Sequence, residues 1–522
     1  MRARFVSVIA AAALALPLSA ATIAPAQAVT LHRLTVRVID RNGHAASSTD
    51  TSLDTVQVIR FHSGNSILMR TGGHRELRAG TYNLAVWIST GTGPGQTLTL
   101  ADKVVDLNRD RTVVLDARQG LKVRLRLDNP SAQAETLEVA PVVDGNWAFN
   151  PWYVDNEPVG LTYVVPMRSK FLRLFIYSVW EKKGTTSAKP SPFRYDIVKV
   201  FRGGIPASPV TSAHTARLAR VKITVRATSA NETAWLGLGP RRGVDPGADP
   251  PIAGGTDLGS TPATVLSYRT PGYQWSPHVA WQSPSAALVA DNLNQNPYGL
   301  GLHRELWGSA VFAPAADSVF AVQDVGRTMI AGMVESDFPI SDALHQTDSG
   351  TGLTKTWHLY QTGRLLAQSH RMEFHVRVPT WDRQFRLTLH TKRAAGALLS
   401  TRVSATWRFF ANRGYGVIYG VRLLPAGLDL RNRAAAGSLT KVALRVDGVE
   451  TSNAVFLPTA KAWASSNDGK TWHWVTVRRS GNHYVLSVRN ASAVGFTSLR
   501  VFVADGHGNS ENLTVIHAYR VR

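Results

Sequence analysis

The sequence predicts an all-β protein built from tandem β-sandwiches. Apolar residues alternate with polar or basic ones in short runs such as 34–40 and 121–127, which is the period-two pattern of a strand with one buried face. Dipeptides typical of hairpin turns, among them Asn42-Gly43, Asp447-Gly448 and Asp468-Gly469, lie between such runs. No long segment has helical spacing, so we expect sandwiches of short strands joined by tight turns.

The composition narrows the function classes. The 522 residues include no cysteine, which excludes disulfide scaffolds, thiolate metal sites and cysteine nucleophiles. Lys and Arg number 58 against 36 Asp and Glu, which gives a formal charge of +22. Hydrophobic residues make up 44% of the chain, as in an ordinary folded protein. At roughly 100–200 residues per domain, the length predicts about three or four domains.

Residues 1–28 are predicted to form a secretory signal peptide. Arg2 and Arg4 precede an apolar stretch over 5–18 that is too short to span a bilayer, and Ala26-Gln27-Ala28 is a small-x-small cleavage site. No later segment reaches the apolar length that a transmembrane helix needs. We therefore expect a secreted, extracellular product without a membrane span.

Domain boundaries are expected at small, Gly- and Pro-rich segments. One such segment is 203–209, another is the stretch 237–259, which is typical of a linker or long loop, and a third break lies near 394–397. The units predicted in this way are a sandwich over 29–118, a second sandwich over 119–208, a larger β-rich unit over 209–395 and a C-terminal sandwich over 396–522.

The first unit carries a recognisable pair of motifs. A strand ends in the turn Asp40-Arg41-Asn42-Gly43, and Gly80-Thr81-Tyr82 later leads into another strand. This pattern resembles the carboxypeptidase-regulatory-like, or transthyretin-like, sandwich. The resemblance implies that the first unit is a β-sandwich of about ninety residues. Separately, we expect the C-terminal unit, 396–522, to be an immunoglobulin-like sandwich.

A longer resemblance covers the C-terminal half. Six motifs follow one another in a fixed order: Tyr268-Arg269-Thr270-Pro271-Gly272, Glu305-Leu306-Trp307, Leu359-Tyr360-Gln361-Thr362-Gly363, Ser400 to Phe409, Val421 to Asp429, and Thr514 to Tyr519. Their order is similar to that in the non-catalytic C-terminal accessory region of large secreted actinobacterial subtilisin-like serine peptidases. The resemblance implies a protein that acts by binding, with a secreted peptidase or another extracellular protein as a partner.

The peptidase domain of that family is missing. Asp348-Ser349-Gly350 imitates the aspartate motif of a subtilisin-like triad, but no His-Gly-Thr accompanies it. Gly184-Thr185-Thr186-Ser187-Ala188 imitates the nucleophile motif with an extra threonine. We therefore expect a non-enzymatic protein that binds proteins or the cell surface.

Aromatic residues in turn-rich segments support an alternative function. Exposed rings can stack on sugars, so we consider a glycan- or cell-wall-binding module that uses Trp147, Trp152, Tyr153, Trp275 and Trp281. The basic surface would attract anionic cell-wall polymers. Nucleic acid is not an expected partner, because no run of five basic residues or nucleic-acid-binding motif is present.

A less favoured alternative is a hydrolase in the 209–395 unit. Its candidate carboxylates would be Glu305, Asp324, Glu335 and Asp337, since glycoside hydrolysis needs two neighbouring acids. The sequence predicts no catalytic residue, no metal site and no cofactor. Calcium stays open, because loops such as 245–249 supply oxygen ligands without an EF-hand spacing.

One further motif is predicted to be structural. The segment 465–472 resembles the Asp-box of sialidases, with Asn467 in the place of the aspartate. The resemblance implies a tight hairpin turn over a packed tryptophan, and the turn residues would be Ser465, Asn467, Gly469, Thr471 and Trp472.

Overall fold

The computed structural model describes residues 30–46, 55–61, 66–143, 146–147, 159–241, 254–292, 297–314, 319–323, 328–333, 345–371, 373–378, 383–411, 418–448 and 457–522. Within these ranges the chain forms β-strands and three short 3₁₀ helices at Gly93–Gly95, Ala117–Gln119 and Thr215–Arg217. None of the helices in the described ranges has the length and apolar character to span a membrane. The predicted signal peptide, 1–28, lies outside the described residues.

Fifteen strands cover the N-terminal part of the chain. They are Leu31–Ile39 (β1), Thr55–Arg60 (β2), Ser66–Arg70 (β3), His74–Arg78 (β4), Gly80–Thr90 (β5), Thr97–Leu107 (β6), Arg111–Asp116 (β7), Leu121–Lys122 (β8), Arg124–Leu127 (β9), Ala132–Val143 (β10), Asn146–Trp147 (β11), Thr162–Val164 (β12), Met167–Lys182 (β13), Phe193–Ile205 (β14) and Val210–Ala213 (β15).

Fourteen strands follow in the central part. They are Ala219–Val225 (β16), Thr233–Arg241 (β17), Gly254–Ser260 (β18), Ala263–Arg269 (β19), Gln274–Ser283 (β20), Ala286–Asn292 (β21), Gly301–Trp307 (β22), Val319–Gln323 (β23), Thr328–Met333 (β24), His345–Gly350 (β25), Leu353–Gln361 (β26), Arg364–Ser369 (β27), Glu373–Arg377 (β28) and Arg383–Arg393 (β29).

Ten strands complete the fold. They are Arg402–Ala411 (β30), Tyr419–Pro425 (β31), Arg433–Ala434 (β32), Leu439–Gly448 (β33), Thr459–Ser465 (β34), His473–Trp474 (β35), Thr476–Ser480 (β36), His483–Arg489 (β37), Gly495–Ala504 (β38) and Ser510–Val521 (β39).

The N-terminal strands form a sandwich. A three-stranded sheet, β4-β1-β7, faces a six-stranded sheet, β3-β2-β5-β6-β12-β8. Alternate residues of β1, such as Val36 and Val38, pack in one core with Val58 of β2 and Leu84 and Val86 of β5. The other face of the six-stranded sheet packs against β10 and β13 through a second core that includes Trp87, Leu100 and Leu174.

Strands of the N-terminal and central parts together form two larger sheets. A seven-stranded sheet, β11-β10-β13-β14-β19-β16-β22, lies beside a five-stranded sheet, β18-β17-β20-β21-β25. In the first of these, β14 pairs in parallel with β19, so that Phe193 lies opposite Leu266. This pairing joins strands on both sides of the predicted boundary at 208/209.

The C-terminal strands, together with β26, β27 and β29, form a second sandwich. A nine-stranded sheet includes the path β27-β26-β29-β30-β39-β38-β34-β35, with β32 pairing β39, and it faces the four-stranded sheet β31-β33-β37-β36. Trp357, Leu387, Trp407 and Val515 lie in the shared core. Strands β29 and β30 pair across the predicted boundary at 395/396. The all-β class and the tandem β-sandwiches are thus confirmed, whereas the four-unit division stays a prediction.

The two ends of the segment 237–259, which the sequence predicts as a linker or long loop, are strand residues. Its ends belong to β17 and β18, which pair with each other, and residues 242–253 lie outside the described chain. A Cβ added to Gly255 would lie 1.7 Å from Trp235 Cζ2, and one added to Gly237 would lie 2.0 Å from His278 Nε2. Gly237 and Gly255 are strand residues whose backbone lies against aromatic side chains. A larger residue would clash there, which explains glycine at both positions.

Candidate ligand-binding face

The tryptophans of the predicted aromatic platform are not available to a ligand where the structure describes their side chains. Trp275 and Trp281 are each 1% exposed. The period-two alternation of β20 directs both into the core, and their indole nitrogens donate to the carbonyl oxygens of Thr270 and Arg226, at 3.2 and 3.1 Å. This corrects the expectation that they lie exposed in turns.

The other platform residues are only partly described. Trp147 is in β11, paired with Val142, and its side chain is not described. Trp152 and Tyr153 lie outside the described residues, as do residues 245–249 of the calcium hypothesis.

Of the candidate carboxylates of the hydrolase hypothesis, the structure describes only Glu305. Glu305 accepts hydrogen bonds from Arg269 Nη1 at 3.1 Å, from Trp307 Nε1 at 3.3 Å and from the Tyr298 hydroxyl. Burial raises the pKa of Glu305, but the charge of Arg269 and these hydrogen bonds outweigh it, so the pKa is lowered overall. Glu305 is thus held in a buried ion-pair network. Asp324, Glu335 and Asp337 lie outside the described residues.

A different surface carries convergent binding chemistry. On the side of the nine-stranded sheet that faces away from the core, directly opposed residues form three rows across six or seven strands. The first row is Tyr360, Arg386, Arg408, Ser510, Ala504 and Thr459; the second is His358, Thr388, Thr406, Asn512, Phe502 and Lys461; the third is Thr356, His390, Ser404, Thr514, Arg500, Trp463 and Trp474. We call these three rows the outer sheet face.

The outer sheet face is open and basic. None of its side chains is buried, whereas the alternate residues of the same strands, such as Leu387 and Ala405, are fully buried. None of its side chains is a carboxylate, although four are Lys or Arg. Five strand spacings of about 4.8 Å separate β26 from β34, so the face is roughly 24 Å wide.

Aromatic residues are concentrated at one end of this face. The rings of Trp463 and Trp474 lie edge to face with centroids 4.8 Å apart, and Trp474 is 62% exposed. The guanidinium of Arg500 lies 4.3 Å from the ring centre of Trp472, a cation–π contact. We call Trp463, Trp472, Trp474 and Arg500 the aromatic end.

The Asp-box-like turn holds Trp472 at the aromatic end. Asn467 Oδ1 accepts from the backbone N–H of Thr471 at 2.9 Å, and Ser465 Oγ accepts from that of Gly469 at 3.0 Å. Asp468 and Gly469 have φ of 59° and 82°, as a type I′ hairpin turn requires. A Cβ at Gly469 would lie 3.1 Å from Trp472 Cζ2, so the indole lies directly against the turn. In this turn Asn467 supplies the acceptor oxygen in the place of the Asp-box aspartate.

Arginines define the opposite end. Arg386 lies between Tyr360 and Arg408 in the first row, and its guanidinium is 4.0 Å from the centre of the Tyr360 ring. An open cavity of about 230 Å³ lies here. It is lined by Tyr360, Thr362, Gly363, Gln384, Phe385, Arg386 and Arg408, which we call the arginine end.

Two histidines, His358 and His390, lie on the strands that carry Tyr360 and Arg386. The rings of His358 and His390 have centroids 6.3 Å apart, and His390 Nδ1 is 3.0 Å from Ser404 Oγ. Partial burial, and secondly the neighbouring His358, lower the pKa of His390. Among the described residues, no group of three potential metal ligands comes together. The two rings add polar nitrogen atoms to this side of the face.

The sequence shows the polar side of one strand of this face, but it does not show which other strands lie beside it. The segment 384–390 alternates apolar residues with Arg386, Thr388 and His390, so its polar side is visible in the sequence. Its direct neighbours lie in β26 and β30, and the rows continue into β39, more than a hundred residues further along the chain, so only the register of these strands brings the three rows together.

No family model and no curated protein matches the chain. Among solved structures, an I-band fragment of titin has 9% identity, covering 58% of this chain and 97% of its own, with a TM-score of 0.13. A streptococcal ancillary pilin has 9% identity, covering 53% and 99%, with a TM-score of 0.12. Escherichia coli alpha-2-macroglobulin activated by porcine elastase has 10% identity, covering 94% and 53%, with a TM-score of 0.14. At such TM-scores these similarities carry no argument, and the all-β assignment rests on the sheets of the chain itself.

Proposed function

We propose that the chain is a secreted, non-catalytic protein that binds a cell-surface polymer through the outer sheet face. One observation carries the proposal: three rows of exposed side chains combine aromatic rings, hydroxyl and amide groups and four cationic groups, with no carboxylate among them. Each of these groups suits an anionic glycan or glycan-like wall polymer.

Each kind of group would make a different contact with the polymer. Tryptophan rings such as Trp474 offer apolar faces on which sugar rings stack. Thr388, Thr406 and Asn512 offer hydrogen-bond donors and acceptors in the middle of the face, where polymer hydroxyls would replace water. The cationic residues attract a negatively charged chain from a distance, an effect that salt weakens.

Binding can be tested by co-sedimentation of residues 29–522 with purified cell walls and insoluble polysaccharides at low and high salt. We expect retention, and we expect the Trp463→Ala/Trp474→Ala variant to lose at least about tenfold in affinity, since stacked aromatic anchors commonly contribute over 1 kcal/mol each. Leu68→Ala is the matched control, because Leu68 is 63% exposed on the N-terminal sandwich, close to the 62% of Trp474.

The salt dependence of retention distinguishes the contribution of the cations from that of the aromatic rings. Binding that is lost at high salt would assign most of the affinity to the cations, whereas salt-resistant binding would assign it to the rings. Failure of the unmodified chain to sediment with any wall or polysaccharide would refute the proposal.

The proposed role is that of an accessory protein similar to the C-terminal regions of subtilisin-like peptidases. It is supported by the ordered motifs of the C-terminal half and by the absence of the sequence motifs of a subtilisin-like triad. A secreted peptidase or another extracellular protein is the partner that this role implies. We expect the purified chain neither to hydrolyse casein nor to react with a serine-hydrolase probe. Either activity would overturn the non-catalytic part of the proposal.

A further inference from the structure

The arginine end combines two cations that repel each other. Arg386 and Arg408 are directly opposed on β29 and β30 and lie on the same face of the sheet. Like charges directly opposite each other on neighbouring strands destabilise a sheet. The next residues in the same row are Tyr360 on one side and Ser510 on the other, and neither neutralises this charge.

The described structure provides no counter-charge for the pair. No carboxylate lines the cavity, and no ion pair to Arg386 or Arg408 occurs among the described residues. The Nε of Arg386 is buried and has no hydrogen-bond acceptor there. Tyr360 supports the guanidinium plane from one side at 4.0 Å, which leaves the N–H groups in that plane to point elsewhere.

The remaining lining residues add hydrogen-bonding groups. Thr362 lies at the hairpin between β26 and β27 with φ of 46°, and Gly363 follows with φ of 85°. Positive φ is rare for a β-branched residue, and this tight turn places the threonine beside the arginines at the cavity. Gln384 Nε2 donates to the carbonyl oxygen of Gly508 at 3.0 Å, which orients its side chain at the cavity.

We propose that the arginine end binds a phosphate group carried by the polymer. Two guanidinium groups from neighbouring strands offer N–H donors from two directions. A planar carboxylate is satisfied by one such group, whereas a tetrahedral phosphate directs its oxygens out of a single plane and can use both. The cavity of about 230 Å³ has room for a phosphate and part of the unit attached to it, since a water molecule takes about 30 Å³.

This inference deepens the proposed function, and it rests on that function for the polymer that carries the phosphate. The aromatic end would then bind sugar or other apolar parts of the same chain. Phosphodiester-linked wall polymers therefore become the favoured ligand class, ahead of polymers whose charge comes from carboxylates.

Calorimetric titration of residues 29–522 tests the site with three probes: inorganic phosphate, a poly(glycerol phosphate) and acetate. We expect both phosphate probes to bind more tightly than acetate. Arg386→Gln/Arg408→Gln should weaken the binding of both phosphate probes by at least about tenfold, because charged hydrogen bonds are lost. Arg478→Gln/Arg479→Gln removes the same charge from exposed residues of β36 and should leave the affinities unchanged.

A second variant separates charge from geometry. Arg386→Lys/Arg408→Lys keeps the charge but removes the forked donors, so it should lose most of the preference for phosphate over acetate. Equal thermal unfolding midpoints would show that the variants fold. Unchanged phosphate binding in the glutamine variant, or equal affinity of the native chain for phosphate and acetate, would overturn the inference.

The two proposals fail in different ways. If the chain binds inorganic phosphate but is not retained on any wall or polysaccharide, the phosphate site is supported and polymer binding is refuted. If retention on walls depends on Trp463 and Trp474 but not on the two arginines, the proposed function is supported and the phosphate site is refuted.

Discussion

Asn432 connects three segments of the chain through one buried side chain. Its Oδ1 accepts from Arg226 Nη1 at 3.1 Å and from the backbone N–H of Ala310 at 3.0 Å. Its Nδ2 donates to the carbonyl oxygens of Ala227 and Gly308, both at 3.0 Å. The residue is 0% exposed and has φ of 54°, a conformation that asparagine tolerates better than most residues.

Asn432→Ala should therefore be severely destabilising. It leaves four buried polar groups without this partner and places alanine at positive φ, so we expect a loss of at least about 4 kcal/mol in the free energy of unfolding. Asn432→Gly removes the same hydrogen bonds without the steric strain and should retain about 1 kcal/mol more.

Urea denaturation of the two variants measures this difference, with Asn512→Ala as the exposed control. Equal stabilities of the alanine and glycine variants would show that the backbone conformation is not part of the cost.

At the level of elements, the pairing of β5 with β6 buries an acid. Asp102 Oδ2 accepts from Asn83 Nδ2 at 3.3 Å, while Asp102 Oδ1 and Asn83 Oδ1 have no hydrogen-bond partner. Burial raises the pKa of Asp102 to about 7, although hydrogen bonds from Asn83 and the backbone of Lys103 oppose the shift. A neutral Asp102 carries the hydroxyl donor that these two oxygens lack.

This shift makes stability depend on pH. In the unfolded chain the carboxyl loses its proton near pH 3.8, whereas in the fold it keeps the proton up to about pH 7. The free energy of unfolding should therefore fall as the pH rises from about 4 to 7, by an amount on the order of 4 kcal/mol, and level off above.

Asp102→Asn should abolish that decline, and chemical denaturation at pH 5 and pH 8 checks it. Asp106→Asn, an exposed position on the same strand, is the matched control and should leave the decline in place. A native chain equally stable at both pH values would contradict the buried, protonated acid.

The strands were largely predictable, but their neighbours were not. The alternation over 34–40 and 385–390 marks β1 and β29 because one buried face is a local property of a strand. Gly237 and Gly255 were misleading, because the residues that explain them, Trp235 and His278, act through cross-strand contacts. The same holds for the site, since exposure of Trp474 and burial of Trp281 follow from which sheet covers each strand.

For the whole molecule, the pairing of β14 with β19 predicts that the chain cannot be divided at 208/209. Separation into 29–208 and 209–522 would expose the paired edges of β14 and β19 and split the core that Val179 and Phe175 share with Leu238 and Trp275. Exposed, unpaired edges favour aggregation. We expect neither fragment alone to elute as a stable monomer in gel filtration, and we expect the two to associate when produced together. Two monomeric fragments, each with a cooperative unfolding transition, would contradict this.

The shared sheets also determine how a binding surface is presented. Domains joined by flexible linkers search for a second attachment point over a volume set by linker length. Here the cross-boundary pairings β14–β19 and β29–β30 replace such linkers with hydrogen-bonded strands. In addition, Trp281 and Trp307 of the central sheets share one core with Trp357 and Trp407 of the nine-stranded sheet, and this core holds the outer sheet face in one orientation relative to the central sheets. A polymer bound to this face would leave the protein in a fixed direction. The opposite side of the protein would then face the medium in the same way on every attached molecule.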